Sequence, residues 1–278
     1  YNSTKLGISE AASHEVGHSL GLSHDGTSTT SYYTGHGITT SDPTGWAPIM
    51  GASYYYNMST WDNGVYYDSN NTGASANYGR GADDLAIITS QNGFGYDVDK
   101  EGDGPADAVV LRVEGGQIGQ FGMIGSAADQ DYFRLDLLQS SDIEVTVNPC
   151  IYQSYVDGDG AWGGDSAVNT AFCDPLYSST LYADHATNLL AQLDVFDASG
   201  RLKYSSTTEP GHIFCGLYSL SAGTYYFRLD GVGIDDPASS TPLGFTDYAS
   251  IGNYLITGTV TPLSTSTLPQ ISLAINGA

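Results

Sequence analysis

Three histidines and a glutamate stand at a spacing that can do chemistry, in the run His14-Glu15-Val16-Gly17-His18-Ser19-Leu20-Gly21-Leu22-Ser23-His24. Residues four apart on a helix share a face, so His14 and His18 can present their imidazoles to one ion. Glu15 follows the first of them and can reach a metal-bound water from the side. A hydrolytic zinc site needs a third protein ligand and an open fourth position for that water. The next helical turn points away, so the helix cannot supply the third ligand. Gly21 has no Cβ and can turn the chain left-handed, which swings His24 back toward the ion. The chemistry these types allow is metal-assisted hydrolysis, with Glu15 as general base and no serine or cysteine nucleophile required.

This run, followed by Asp25, resembles the signature of the metzincin zinc peptidases in its adamalysin-type form. Pro48-Ile49-Met50-Gly51, 26 residues after His24, is similar to the Met-turn of those enzymes, whose methionine lies beneath the ligands. The resemblance spans residues 6–96. It implies zinc held by His14, His18 and His24, a catalytic Glu15, a structural Met50, and a protein or peptide as substrate. Some metzincins carry a further tyrosine ligand two residues after the methionine. That position is Ala52 here, and Tyr54, Tyr55 and Tyr56 are read as a pocket wall or as packing. Metzincin domains also place a β-sheet before the active-site helix. Only thirteen residues precede His14, so an upstream segment or another chain is expected to complete the domain, and Tyr1 is read as a start made by processing or incomplete coverage.

The elements that must position these residues change character along the chain. Leu6, Ile8, Ala11, Ala12, Val16 and Leu20 fall mostly at helical spacing, so residues 1–25 begin as a helix, which Gly21 ends. Residues 26–82 are rich in Gly, Ser, Thr, Asn and Tyr and read as structured loop. Asp83–Ile88 reads as a helix with acids in its first turn. Asp97–Ala108 holds five acids and reads as a linker. Beyond it the period becomes two: Phe133, Leu135 and Leu137; Ile143, Val145 and Val147; Thr224–Asp230; Tyr254–Val260. Such alternation between turn-rich gaps predicts an antiparallel β-sandwich. Gly122–Gly125, Asp129–Phe133, Ser221–Asp230 and Tyr248–Tyr254 resemble the bacterial pre-peptidase C-terminal domain over about 111–262. That resemblance implies a small sandwich appended to a secreted peptidase and linked to secretion, substrate attachment or calcium-stabilised folding.

Charge sorts with this division. The chain of 278 residues carries a formal net charge of −23 with eight Lys and Arg. Residues 1–96 hold two basic and eight acidic groups; the remainder holds six and 23. Such a surface repels nucleic acid and anionic lipid and suits calcium or an extracellular matrix, or serves solubility alone. Asp157-Gly158-Asp159-Gly160 offers clustered carboxylates to calcium or forms a solvated turn. Asn2, Asn57 and Asn70 head glycosylation sequons. Cys150, Cys173 and Cys215 are too few for a disulfide scaffold; Cys150 and Cys173 can bridge locally. No run of 18 apolar residues is present.

The expected fold class is α+β: the C-terminal part of a metzincin catalytic domain (1–96; active-site helix, Met-turn, C-terminal helix), an acidic linker (97–110), an antiparallel β-sandwich (111–262) and a linker or start of a further module (263–278). The expected function is a secreted zinc endopeptidase, with calcium as a possible second ion. The alternatives are a structural or adhesive extracellular protein carrying an inherited peptidase module, and a binding module that attaches to a matrix.

Overall fold

The computed structural model describes residues 5–37, 45–56, 58–149, 188–207 and 214–263. The calcium reading at Asp157 and Asp159, Cys150 and Cys173, the sequons at Asn2 and Asn57, and the tail 264–278 lie outside them.

The C-terminal half is a β-sandwich, as the period-two pattern predicts. Strands β3 (Val109–Val110), β5 (Gln130–Leu137), β10 (Gly223–Gly231), β7 (Ala191–Asp197) and β8 (Leu202–Thr207) lie side by side in that order in one sheet. Strands β4 (Gln117–Ile124), β11 (Gly252–Pro262), β6 (Ser141–Pro149) and β9 (Phe214–Leu220) form the other. Pairing is antiparallel except where β3 joins β5. Phe133, Leu135, Val195, Phe227 and Leu229 from the first sheet share one buried core with Ile143, Val145, Val147, Tyr254 and Ile256 from the second. The Phe133 and Tyr254 rings meet edge to face, 6.3 Å between centroids. The intervening residues Arg134 and Asp136 face solvent and pair with each other at 3.0 Å.

The N-terminal lobe has little regular structure. Helix α1 (Lys5–Ser19) carries the histidine run. A ribbon of two three-residue parallel strands, β1 (Trp46–Pro48) and β2 (Met58–Thr60), carries the chain into and out of the Met50 turn. The helix expected over Asp83–Ile88 begins at Asp84, capped by the Asp83 side chain accepting from the Ala86 N–H at 2.9 Å. It widens into a π turn over Ile87–Gln91.

The lobe and the sandwich share a second apolar cluster. Tyr33, Trp46, Met58 and Tyr66 of the lobe pack with Leu190, Phe245 and Ala249 of the sandwich loops. Polar bonds cross the same contact. Buried His36 donates from Nε2 to the Gly244 carbonyl at 2.6 Å, and its Nδ1 lies 2.8 Å from the Tyr33 hydroxyl. Asn188 donates to the Ser59 carbonyl at 3.1 Å, and the Tyr67 N–H to the Pro237 carbonyl at 2.9 Å. The stretch Asp97–Ala108 is laid against the sandwich, its Gly102 carbonyl accepting the Tyr132 N–H at 2.9 Å.

Burial holds the His36 imidazole below the usual histidine range, and the bond to Gly244 partly opposes this. A depressed folded-state value means that the unfolded chain takes up the proton first. Stability contributed by neutral His36 is therefore present above about pH 6.5 and is lost as pH falls below it. The thermal midpoint of the protein should fall more steeply with acidification between pH 7 and 5 than that of His36→Gln. Equal slopes for the two proteins would remove His36 from the account.

Candidate metal centre

His14 and His18 lie on one face of α1, their ring centroids 4.9 Å apart. Each is oriented by its Nδ1–H: His14 donates to the Ile49 carbonyl at 2.8 Å and His18 to the Leu22 carbonyl at 2.9 Å. Holding Nδ1 in this way leaves Nε2 as the metal-facing lone pair. The helix then ends in a Schellman turn. The Leu22 N–H bonds to the Gly17 carbonyl and the Gly21 N–H to the His18 carbonyl, both at 3.0 Å, with Gly21 at φ +95° and Leu22 buried. The turn returns His24 to the helix: its Nε2 lies 3.0 Å from that of His18. One ring nitrogen from each of the three histidines falls within 4.8 Å of the others. Burial holds His24 below the usual histidine range, His18 and His14 add to the effect, and Glu15 opposes it. The donor set fits a zinc ion: three imidazoles converge with the far nitrogens of two already engaged. Glu15 is exposed beside them.

Several residues outside the run fix this arrangement. Met50 is fully buried, and a Cβ on Gly17 would collide with its sulfur, so glycine lets α1 lie against the turn with the methionine in this position. Glu10, one turn before His14, accepts hydrogen bonds from Ser53 and Ser59 and ties the helix to both flanks of the turn. Arg80 donates to the Leu20 carbonyl at 2.6 Å, satisfying an open carbonyl at the helix C-terminus, where the dipole favours a cation. Asn77, itself left-handed at φ 48°, accepts from the Ser23 N–H at 2.7 Å and fastens the turn before His24.

Tyr54, Tyr55 and Tyr56 read from the sequence as a pocket wall or as packing, and the tyrosine ring set against the histidines is that of Tyr32. Tyr32, 44% exposed, lies 4.2 Å from the His24 ring and 6.1 Å from that of His14, centroid to centroid. Tyr55 is exposed, and Tyr54 and Tyr56 are half-buried. Nothing in the sequence distinguishes Tyr32 among 21 tyrosines. Asp25 turns inward. Its backbone bonds to Met50 and Tyr33, and its carboxylate is buried with Asp62 and Asp84. Burial pushes all three up, Asp62 to about 7, and the neighbouring carboxylates add to the effect.

A second cluster lies where Asp97–Ala108 crosses the sandwich. Asp99, Glu101 and Asp131 place one carboxylate oxygen each within 4.8 Å of one another, as do Asp99, Asp103 and Asp129. Asp131 is fully buried. Its Oδ2 accepts from the Tyr254 hydroxyl, and its Oδ1, like Oδ1 of Asp129, is buried with no hydrogen-bond partner. Burial pushes Asp131 up to about 8 despite that bond. Several carboxylates converging on buried, unpartnered oxygens are a hard-cation donor set suited to calcium. The sequence does hold the signal: Asp99, Glu101 and Asp103 alternate, and Asp131 stands in phase with the core positions Phe133, Leu135 and Leu137.

Exposed Asn70 is the sequon asparagine within the described residues, and its side-chain oxygen accepts the Gly26 N–H at 2.9 Å. No described helix is long and apolar enough to cross a membrane. No family model matches the chain, and no curated protein matches it. Among solved structures, it is similar to the pre-peptidase C-terminal domain of a collagenase from Bacillus anthracis, at 9% identity and TM-score 0.27, covering 55% of this chain and 91% of that one. It is also similar to a protein from Sulfurospirillum deleyianum, at 14% identity and TM-score 0.30, covering 53% and 99%. The sandwich assignment rests on the strand pairing of this chain itself.

Proposed function

We propose that this chain is the zinc-binding lower part of a secreted metzincin-type endopeptidase joined to a calcium-stabilised sandwich of the pre-peptidase C-terminal kind. The observation that carries this reading is the convergence of His14, His18 and His24 with Glu15 open beside them. Zinc, when bound, polarises the scissile carbonyl and lowers the pKa of its water toward about 7. Glu15 takes up the proton of that water at its carboxylate and delivers it to the leaving amine. His14 and His18 keep their Nδ1 protons on backbone carbonyls throughout, which holds the rings in the metal-binding tautomer.

The substrate backbone needs an edge to lie along, and a further segment of the catalytic domain supplies it in this reading. On α1, Ile8 is 51% and Val16 53% exposed, with Ala12 exposed between them. These positions, four apart, form one apolar stripe open to solvent on a face of the helix turned away from His14 and His18. An upstream segment or another chain covers this stripe in the working enzyme.

Calcium is assigned to Asp99, Glu101, Asp103, Asp129 and Asp131. A buried carboxylate oxygen without a partner is costly, and a divalent ion removes that cost.

The protein should bind one zinc per chain at the histidine site. Alanine at His14, His18 or His24 should abolish that binding by metal analysis after dialysis. Glu15→Gln should retain zinc and lose on the order of 100-fold or more in peptide hydrolysis once the catalytic domain is complete. Zinc-free wild-type protein under zinc-replete conditions would overturn the reading.

Calcium at about a hundred times its dissociation constant should add about 2.7 kcal/mol to folding, a rise of roughly 5–10 °C in the thermal midpoint. A chelator should reverse the rise. Asp131→Asn should lose the calcium response while remaining folded, and an undiminished response in that variant would remove the site.

A further inference from the structure

The ribbon that orients His14 is too small to hold itself in place. β1 and β2 pair over three residues each, Trp46 with Met58, Ala47 with Ser59 and Pro48 with Thr60. Isolated two-stranded pairs are marginal in water even when longer and antiparallel. Yet Ile49, the next residue, must present its carbonyl to His14 at 2.8 Å, with its own N–H on the Thr60 carbonyl at 2.8 Å. A shift of an ångström in the ribbon would move or free the first metal ligand.

The sandwich grips this ribbon on both strands. On β2, Asn188 donates to the Ser59 carbonyl at 3.1 Å. On β1, Trp46 exchanges backbone hydrogen bonds with His36 at 3.0 Å each, and His36 is in turn held by Gly244 at 2.6 Å. Gly244 has φ +68°, and a Cβ there would strike the Ile234 carbonyl, so this carbonyl can face His36 only from a glycine. Phe245, fully buried, packs with Leu190 and Ala249 against Trp46 and Met58, one residue from each strand. From the lobe's own side, the ribbon receives the Glu10 bond to Ser59 and the bond from Trp46 Nε1 to Thr60 at 2.8 Å.

We infer that the sandwich is a positioning part of the metal centre: Asn188, Gly244 and Phe245 fix the ribbon, the ribbon fixes Ile49, and Ile49 fixes His14. The inference rests on the zinc reading of the histidine site. It makes metal affinity depend on residues 174 positions and more away in sequence from His14, the ligand through which they act.

The test uses the full chain. Asn188→Leu removes the donor to Ser59 at similar volume, and Asn188→Leu with Phe245→Ala also removes the apolar wedge. Zinc affinity is read by competition with a chromophoric chelator. Hydrogen exchange of the Trp46 and Ile49 amides is read in zinc-free protein. The double variant should bind zinc about tenfold more weakly and exchange both amides faster, and the single variant should shift in the same direction. Phe245→Leu, which refills the wedge, should recover most of the affinity. Val145→Ala, in the sandwich core away from the ribbon, should lower the thermal midpoint without moving either readout. Unchanged zinc affinity and exchange in the Asn188 variants overturn the inference and leave the zinc reading intact. An equal loss in Val145→Ala also overturns it, because the effect is then global stability. Absence of zinc binding by the unaltered protein overturns both.

Discussion

The approach of α1 to the Met50 turn sets the geometry of the whole N-terminal lobe. Gly17 lets the helix lie against the methionine sulfur, and Glu10 holds the serines on either side of that turn. At this separation the Ile49 carbonyl meets His14, and the chain leaving Gly21 meets the helix again at His18. A side chain at position 17 would meet the Met50 sulfur, so either the methionine or the helix would have to move. The two parts of the histidine cluster, a pair on the helix and a third on the returning chain, thus depend on a residue that supplies no imidazole.

Much of the remaining lobe is organised around a buried cluster of carboxyl groups. Asp25, Asp62 and Asp84 are buried together, and burial pushes each of them upward. Asn77 answers part of this, donating to Asp84 while accepting from Ser23. Acidic residues of this chain are therefore buried as well as exposed, and burial favours the protonated form of the buried ones. At the acidic crossing the same excess takes a different form: carboxylates from two segments face one another with the Oδ1 atoms of Asp129 and Asp131 unpartnered, a donor set that suits a divalent ion.

What the sequence makes legible follows the range of the interactions. The histidine run, the glycine that ends the helix and the alternating strands are local patterns, and α1 and β5, β6, β10 and β11 lie where those patterns put them. Residues 26–82 have no period to read. Their order comes from Tyr33, Trp46 and Tyr66 burying against sandwich loops some 120 to 220 positions later, which no local window contains. Glu10, whose partners Ser53 and Ser59 lie 43 and 49 positions on, escaped for the same reason. Asp131 did not have to: an acid in phase with Phe133, Leu135 and Leu137 marks a charge aimed into a core, and such a charge needs a partner.

The two contacts that join the halves of the chain leave the sandwich from one end. Strand β5 starts and β10 finishes there, Gln130 beside Asp230, and the acidic crossing sits on the β5 side. The chain from Val232 to Ser250 departs on the β10 side and carries Gly244 and Phe245 to the ribbon. It is pinned at its root by the Val232 N–H on the Leu190 carbonyl at 3.1 Å and by Ser250 on the Leu190 N–H at 2.8 Å. Tyr254 stands between the two, its ring in the core and its hydroxyl on Asp131. An acidic stretch that reads as a tether is, in the folded chain, laid against the same end of the sandwich from which the ribbon is held.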